Sequence, residues 1–72
     1  VNFEFQVKYK GKPLEVKLAF NGTRQEAYTR ARHLATGLTA LLKDRMFTVR
    51  VDRTDAPATG YEIGPDGHTI DT

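Results

Sequence analysis

VNFEFQVKYKGKPLEVKLAF, residues 1–20, decides the fold. Val1, Phe3, Phe5, Val7 and Tyr9 alternate with Asn2, Glu4, Gln6 and Lys8. This two-residue period is that of a strand with one buried face. Leu14, Val16, Leu18 and Phe20 repeat it, with Glu15 and Lys17 outward. Lys10-Gly11-Lys12-Pro13 between them is a turn signal. A loop at Gly11-Lys12, with Gly11 at the first central position of a type II′ turn, sets the register. Tyr9 then opposes Leu14, Val7 opposes Val16, Phe5 opposes Leu18 and Phe3 opposes Phe20. Every apolar pair falls on one face, and Lys8 meets Glu15 on the other. A one-residue slip would send the two apolar rows to opposite faces.

Outward from this hairpin, Asn21-Gly22 ends the second strand, and Thr23-Arg24-Gln25-Glu26 has the form of a capping box. Ala27, Tyr28, Ala31, Leu34, Ala35, Leu38, Leu41 and Leu42 recur at steps of three and four, which predicts a helix over about 24–43. Its opposite face carries Thr29, His33, Thr36, Gly37 and Ala40, small and uncharged along its middle. Phe47, Val49 and Val51 alternate with Thr48, Arg50 and Asp52 in a third strand over 46–53. Residues 53–60 read as a loop, 60–64 as a short strand, and Gly64-Pro65-Asp66-Gly67 as a turn of type I composition. A further short strand over 68–71 can pair back on it. The expected fold is α+β: one ββαββ domain over residues 1–72, with one helix on one face of a four- or five-stranded, mostly antiparallel sheet. Strands are expected at about 1–10, 14–20, 46–53 and 60–64.

Phe20-Asn21-Gly22-Thr23, Glu26-Ala27 and the apolar helix behind them resemble the β-grasp domains of the protein G and protein L type. The general layout covers most of the chain, while the 53–60 loop and the Gly64–Gly67 turn depart from that pattern. The resemblance implies a sheet order of 2-1-4-3 with the two middle strands parallel. It does not imply immunoglobulin binding, because a fold does not carry a function with it.

Composition narrows the chemistry. Seventy-two residues without cysteine form one domain with a thin core and no disulfide or thiolate zinc site. No apolar run reaches the roughly 20 residues of a membrane-spanning helix. With no leader pattern in view, a cytoplasmic setting is the default expectation. The net charge of +2 divides unevenly: residues 1–52 carry ten Lys/Arg against five Asp/Glu, and residues 53–72 carry Arg53 against four acids. The acidic C-terminal segment is expected to fold back on the basic body; the alternative is that the body meets an anionic partner while the segment stays apart. G-x-S-x-G, P-loop and H-E-x-x-H patterns do not occur, and His33 and His68 are expected at the surface, so no enzyme, cofactor or small-molecule substrate is expected. Asp52, Asp55, Asp66 and Asp71 lack the spacing of a calcium loop, and no metal site is expected.

Two binding functions follow. The first is a non-catalytic protein-interaction module, an inhibitor, adaptor or assembly component. It would bind another protein or a second copy through Thr29, His33, Thr36, Gly37 and Ala40, or by adding a partner's strand to the edge of the second strand, which Pro13 and Lys17 can instead guard. The alternative is a low-specificity nucleic-acid binder using Lys8, Lys10, Lys12 and Lys17 on the outer sheet face and first turn. Glu4, Glu15 and Asp52 interrupt that face, and Phe3, Phe5, Tyr9, Phe20 and Phe47 all fall on the inner one. That leaves no aromatic platform for stacking bases.

Overall fold

The computed structural model describes residues 1–55 and 60–70. Its strands are β1 (Asn2–Tyr9), β2 (Lys12–Asn21), β3 (Phe47–Arg53), β4 (Tyr61–Ile63) and β5 (Thr69–Ile70), and its helix is α1 (Arg24–Leu42). One helix therefore packs on a five-stranded antiparallel sheet, an α+β domain. The sheet order is β2-β1-β3-β4-β5. This corrects the order implied by the protein G and protein L resemblance: β3, not β4, lies beside β1, and the two run antiparallel. β2 and β3, each antiparallel to β1, run parallel to each other, and α1 is the crossover that carries the chain back between them.

The hairpin differs from the expected register at its tip. Lys10 and Gly11, not Gly11 and Lys12, are the loop residues, with φ values of 52° and 79°. Positive φ at both is the requirement of a type I′ turn, whose twist suits the strands it joins. Phe3 opposes Phe20 and Phe5 opposes Leu18 as expected, but Tyr9 opposes Lys12 and Lys8 opposes Pro13. The surplus residues of β2 bow out opposite Val7. The Gln6 side-chain amide fills the gap, donating to the carbonyls of Leu14 and Val16. Lys8 thus misses Glu15 and pairs instead with Glu62 of β4 at 2.9 Å. Through Glu62 the C-terminal segment does meet one cation of the basic body.

The helix begins on the expected capping box. Glu26 N–H donates to Thr23 Oγ1 at 3.1 Å, and Thr23 N–H donates to the Glu26 carboxylate at 3.0 Å. The bond from Thr23 N–H favours the ionised carboxylate and, with the Thr23 side chain beside it, holds Glu26 below its ordinary range. The helix ends at Lys43, which takes the left-handed cap conformation. Only the alanines of its inward stripe, Ala27, Ala31 and Ala35, are fully buried. Their small side chains seat the backbone close against β3, with β4 next. Phe3, Phe5, Val7, Val49, Val51 and Ile63 complete the core from the sheet side.

The Gly64–Gly67 turn closes with a bond from Gly67 N–H to the Gly64 carbonyl at 3.0 Å. Asp66 accepts from His68 N–H at 3.1 Å, the local bond expected of Asp in a turn. Residues 56–59 of the expected loop and residue 71 of the expected final strand lie outside the described residues.

Candidate interaction surface

The strands at the two sheet edges are unequal. β5 is two residues long, whereas β2 runs for ten and is exposed along nearly its whole length. Leu14, Val16 and Leu18 were expected in the core, yet they are 38%, 44% and 45% exposed. Leu18 pairs with buried Phe5 and Lys12 with Tyr9 at the two ends of the bowed segment, so strand alternation puts the even-numbered row, Leu14, Val16 and Leu18, on the helix side. What they lack is a cover. A helix is about 10–12 Å across with its side chains. Strands are spaced about 4.8 Å apart, so one helix spans little more than two of them. Centred on β3, α1 leaves β2 overhanging.

The result is an open valley between β2 and α1. At one end it is lined by Phe5, Leu18, Phe20, Arg30, His33 and Leu34. The Phe20 ring stacks on Phe5 at 5.6 Å between centroids, and the Arg30 guanidinium lies 5.7 Å from the Phe20 ring. Further along the helix, Gly37 and Leu41 follow Leu34 at steps of three and seven and share its flank. Leu41 is exposed, and a Cβ built on Gly37 would meet nothing within 4 Å.

The five helix residues expected at an interface therefore do not form one surface of one kind. Thr29 and His33 are exposed and line a groove with Phe20 and Arg30. Gly37 lies one turn beyond His33 on the valley side. Ala40 is exposed farther out. Thr36 belongs to the other flank: its hydroxyl donates to the Arg32 carbonyl at 2.9 Å, and its methyl packs near Gly67. The exposed row on β2 was missed because alternation assigns a side chain to a face without saying what covers it.

The backbone of the β2 edge is also open. Gly22 N–H donates to the Val1 carbonyl at 3.1 Å, and the Leu14 and Val16 carbonyls accept from Gln6. Even-numbered residues of β2 thus direct their backbone groups at β1. By the alternation of an antiparallel ladder, Glu15, Lys17 and Ala19 direct theirs to solvent.

The four lysines of the nucleic-acid alternative are placed differently. Lys8 is half-buried against Glu62, and Lys17 lies 3.9 Å from Glu4. Lys10 sits over the Tyr9 ring at 5.5 Å, and Lys12 stands across from Tyr9 on β2. Arg50 on the same outer face is held by Asp52 at 3.2 Å. Carboxylates thus interrupt the cations across the outer sheet face.

Other polar groups serve the fold. Tyr9 Oη donates to Asp44 at 2.6 Å, which raises the tyrosine pKa above its ordinary value and lowers that of Asp44. Asp55 accepts from Asn2 N–H at 3.2 Å and from Arg53 at 3.0 Å, and is held below the usual carboxylate range. Asp52, Asp55 and Asp66 thus each have a partner of their own, and Asp71 lies outside the described residues. No cluster of three or more potential metal ligands occurs among the described residues. No described helix is long and apolar enough to cross a membrane. No protein-family model, curated protein or solved structure matches the chain.

Proposed function

We infer that the domain is a non-catalytic protein-interaction module whose docking surface is the β2 edge and the apolar valley beside it. The observation that carries this reading is the coincidence of two unmet requirements on one strand. Among the described residues no strand pairs with its outward backbone groups, and none covers Leu14, Val16 and Leu18 on its helix side. An extended segment that adds to the sheet meets the first requirement by main-chain bonds and the second by its alternate side chains. His33 and Gly37 stand on the valley wall, where a bulky addition would narrow it.

A protein segment suits this surface better than a polyanion does. The valley is apolar, and the lysines on the far side of the sheet are interrupted by Glu4, Asp52 and Glu62. Nucleic acid needs cations gathered on one surface and exposed.

The test is selection of binders from a random linear peptide library, followed by NMR mapping on the labelled chain at low micromolar concentration. Selected peptides are expected to alternate apolar and polar residues. They should shift the amides of Glu15, Lys17 and Ala19 together with the methyls of Leu14, Val16 and Leu18. Peptides that map to the outer sheet face or the far side of α1 would overturn the reading. Lys17→Pro removes an outward N–H at a position an edge strand tolerates. It should abolish peptide binding and leave the far-ultraviolet circular dichroism unchanged.

A further inference from the structure

The β2 edge is complementary to itself. An antiparallel two-fold pair of β2 strands obeys two constraints. Facing residues must lie on the same side of the sheet, and only Pro13, Glu15, Lys17, Ala19 and Asn21 offer backbone groups outward. These leave a handful of registers. One centred on Glu15 or on Lys17 sets like charges directly opposite each other, which is unfavourable. One centred on Leu14 places Lys12 against Val16, and one centred on Leu18 leaves Glu15 and Lys17 without opposite charges. The register centred on Val16 satisfies both faces at once. Glu15 faces Lys17 of the second copy twice over on the outer side. Val16 faces its own mate and Leu14 faces Leu18 twice on the helix side.

The backbone agrees with this register. Glu15 and Lys17 fall on hydrogen-bonded positions and exchange both their N–H and C=O groups across the axis. Ala19 N–H points at the carbonyl of the opposing Pro13. Having no N–H, Pro13 ends the ladder there. The bowed segment does not obstruct it, because the carbonyls of Leu14 and Val16 already turn inward to Gln6.

We propose that this chain pairs with a second copy of itself, β2 against antiparallel β2, in the register centred on Val16. The product is one continuous ten-stranded sheet with both helices on the same side and a joint apolar floor between them. The proposal rests on the reading of β2 as the docking surface and names the occupant.

Sedimentation equilibrium tests it, with the chain loaded from about 1 µM to 1 mM in low salt. The mass should rise from 8.1 kDa toward twice that value. Glu15→Lys and Lys17→Glu each turn two attractive pairs into two repulsive ones. At roughly 0.2–1 kcal/mol for each attraction lost and each repulsion gained, either change should weaken the dimer between about fourfold and several hundredfold. Glu15→Lys combined with Lys17→Glu restores opposite charges and should return the dissociation constant to within about threefold of the parent. Glu15 and Lys17 are both exposed, so circular dichroism should be unaltered by each change. A chain that stays at 8.1 kDa to 1 mM overturns self-pairing. So does a dimer indifferent to either single charge reversal. In both cases, library peptides that still map to β2 keep the docking reading intact, whereas peptides mapping elsewhere overturn that reading too.

Discussion

Ile63 and Leu18 both point to the helix side of the sheet, and replacing each by alanine should separate core from uncovered flank. Ile63 has no exposed surface and Leu18 is 45% exposed. Ile63→Ala removes buried methyl and methylene groups and leaves a cavity beneath α1, a cost of about 2–5 kcal/mol. A domain of 72 residues holds only about 4–11 kcal/mol in total at typical values per residue. The variant should therefore lose from about a fifth to all of that stability, read as a large drop in the urea midpoint. Leu18→Ala removes comparable carbon, but about half of it already meets water, and solvent occupies the space left behind. The cavity contribution vanishes, and the remaining transfer cost is about 1 kcal/mol. The assay is urea unfolding followed by circular dichroism, since the chain has no tryptophan, at a few micromolar so that association does not add stability. A Leu18→Ala cost equal to that of Ile63→Ala would refute the reasoning. It would place β2's apolar row inside the core and close the valley.

Four further outcomes are expected. Thr23→Ala removes the hydroxyl that accepts from Glu26 N–H and should cost about 1 kcal/mol, lowering the melting temperature by about 4–8 °C; an unchanged melt would mean the cap is not formed in solution. Gly37→Arg meets open space and exchanges a poor helix former for a good one, so it should stabilise the monomer by up to about 1 kcal/mol while impairing binding in the valley; unaltered peptide affinity would remove Gly37 from the docking surface. Gly60→Ala sets a Cβ against the Val51 carbonyl and the Asp52 carboxylate and should cost about 1–3 kcal/mol, read as a lower urea midpoint. Finally, Glu26, Asp44, Asp55 and Asp66 are all held below their ordinary pKa values by hydrogen bonds that favour the ionised form. Each contributes stability that is complete above its unfolded pKa, roughly 3.9 for Asp and 4.3 for Glu, and is lost as pH falls through the lower folded value. The urea midpoint should stay level from about pH 7 to 5 and drop below about 4.5, and a level profile down to pH 3 would contradict these bonds.

How far the sequence led depends on what each pattern encodes. The capping box, the Gly64–Gly67 turn and the alternation of β1 and β3 are local, with each residue's role fixed by near neighbours, and they appear in the structure as read. The hairpin tip differed because Lys10 can adopt positive φ beside Gly11, which permits the shorter loop and moves the surplus to Leu14–Val16. The strand order was read through a resemblance, and nothing in Phe20–Ala27 determines which neighbour β1 takes. The uncovered flank was the largest departure. Leu14, Val16 and Leu18 have the alternation of a half-buried strand whether a helix, a second chain or water lies over them. Only the width of one helix against five strands, a quantity of the assembled fold, shows which side chains it reaches. The helix residues Thr29, His33 and Gly37 were correctly assigned to the exposed side, but their connection with β2 became visible only with the valley between them.

Amide hydrogen exchange resolved by NMR at two concentrations tests the docking edge most directly. In the dilute chain, the amides of Glu15, Lys17 and Ala19 should exchange freely, while those of Leu18 and Phe20, bonded to β1, are protected. At high concentration, Glu15, Lys17 and Ala19 should gain protection together, with no change along β3. If those three amides are already protected in the dilute chain, or stay free at every concentration and with every selected peptide, β2 is not an open edge awaiting a partner strand, and the account fails.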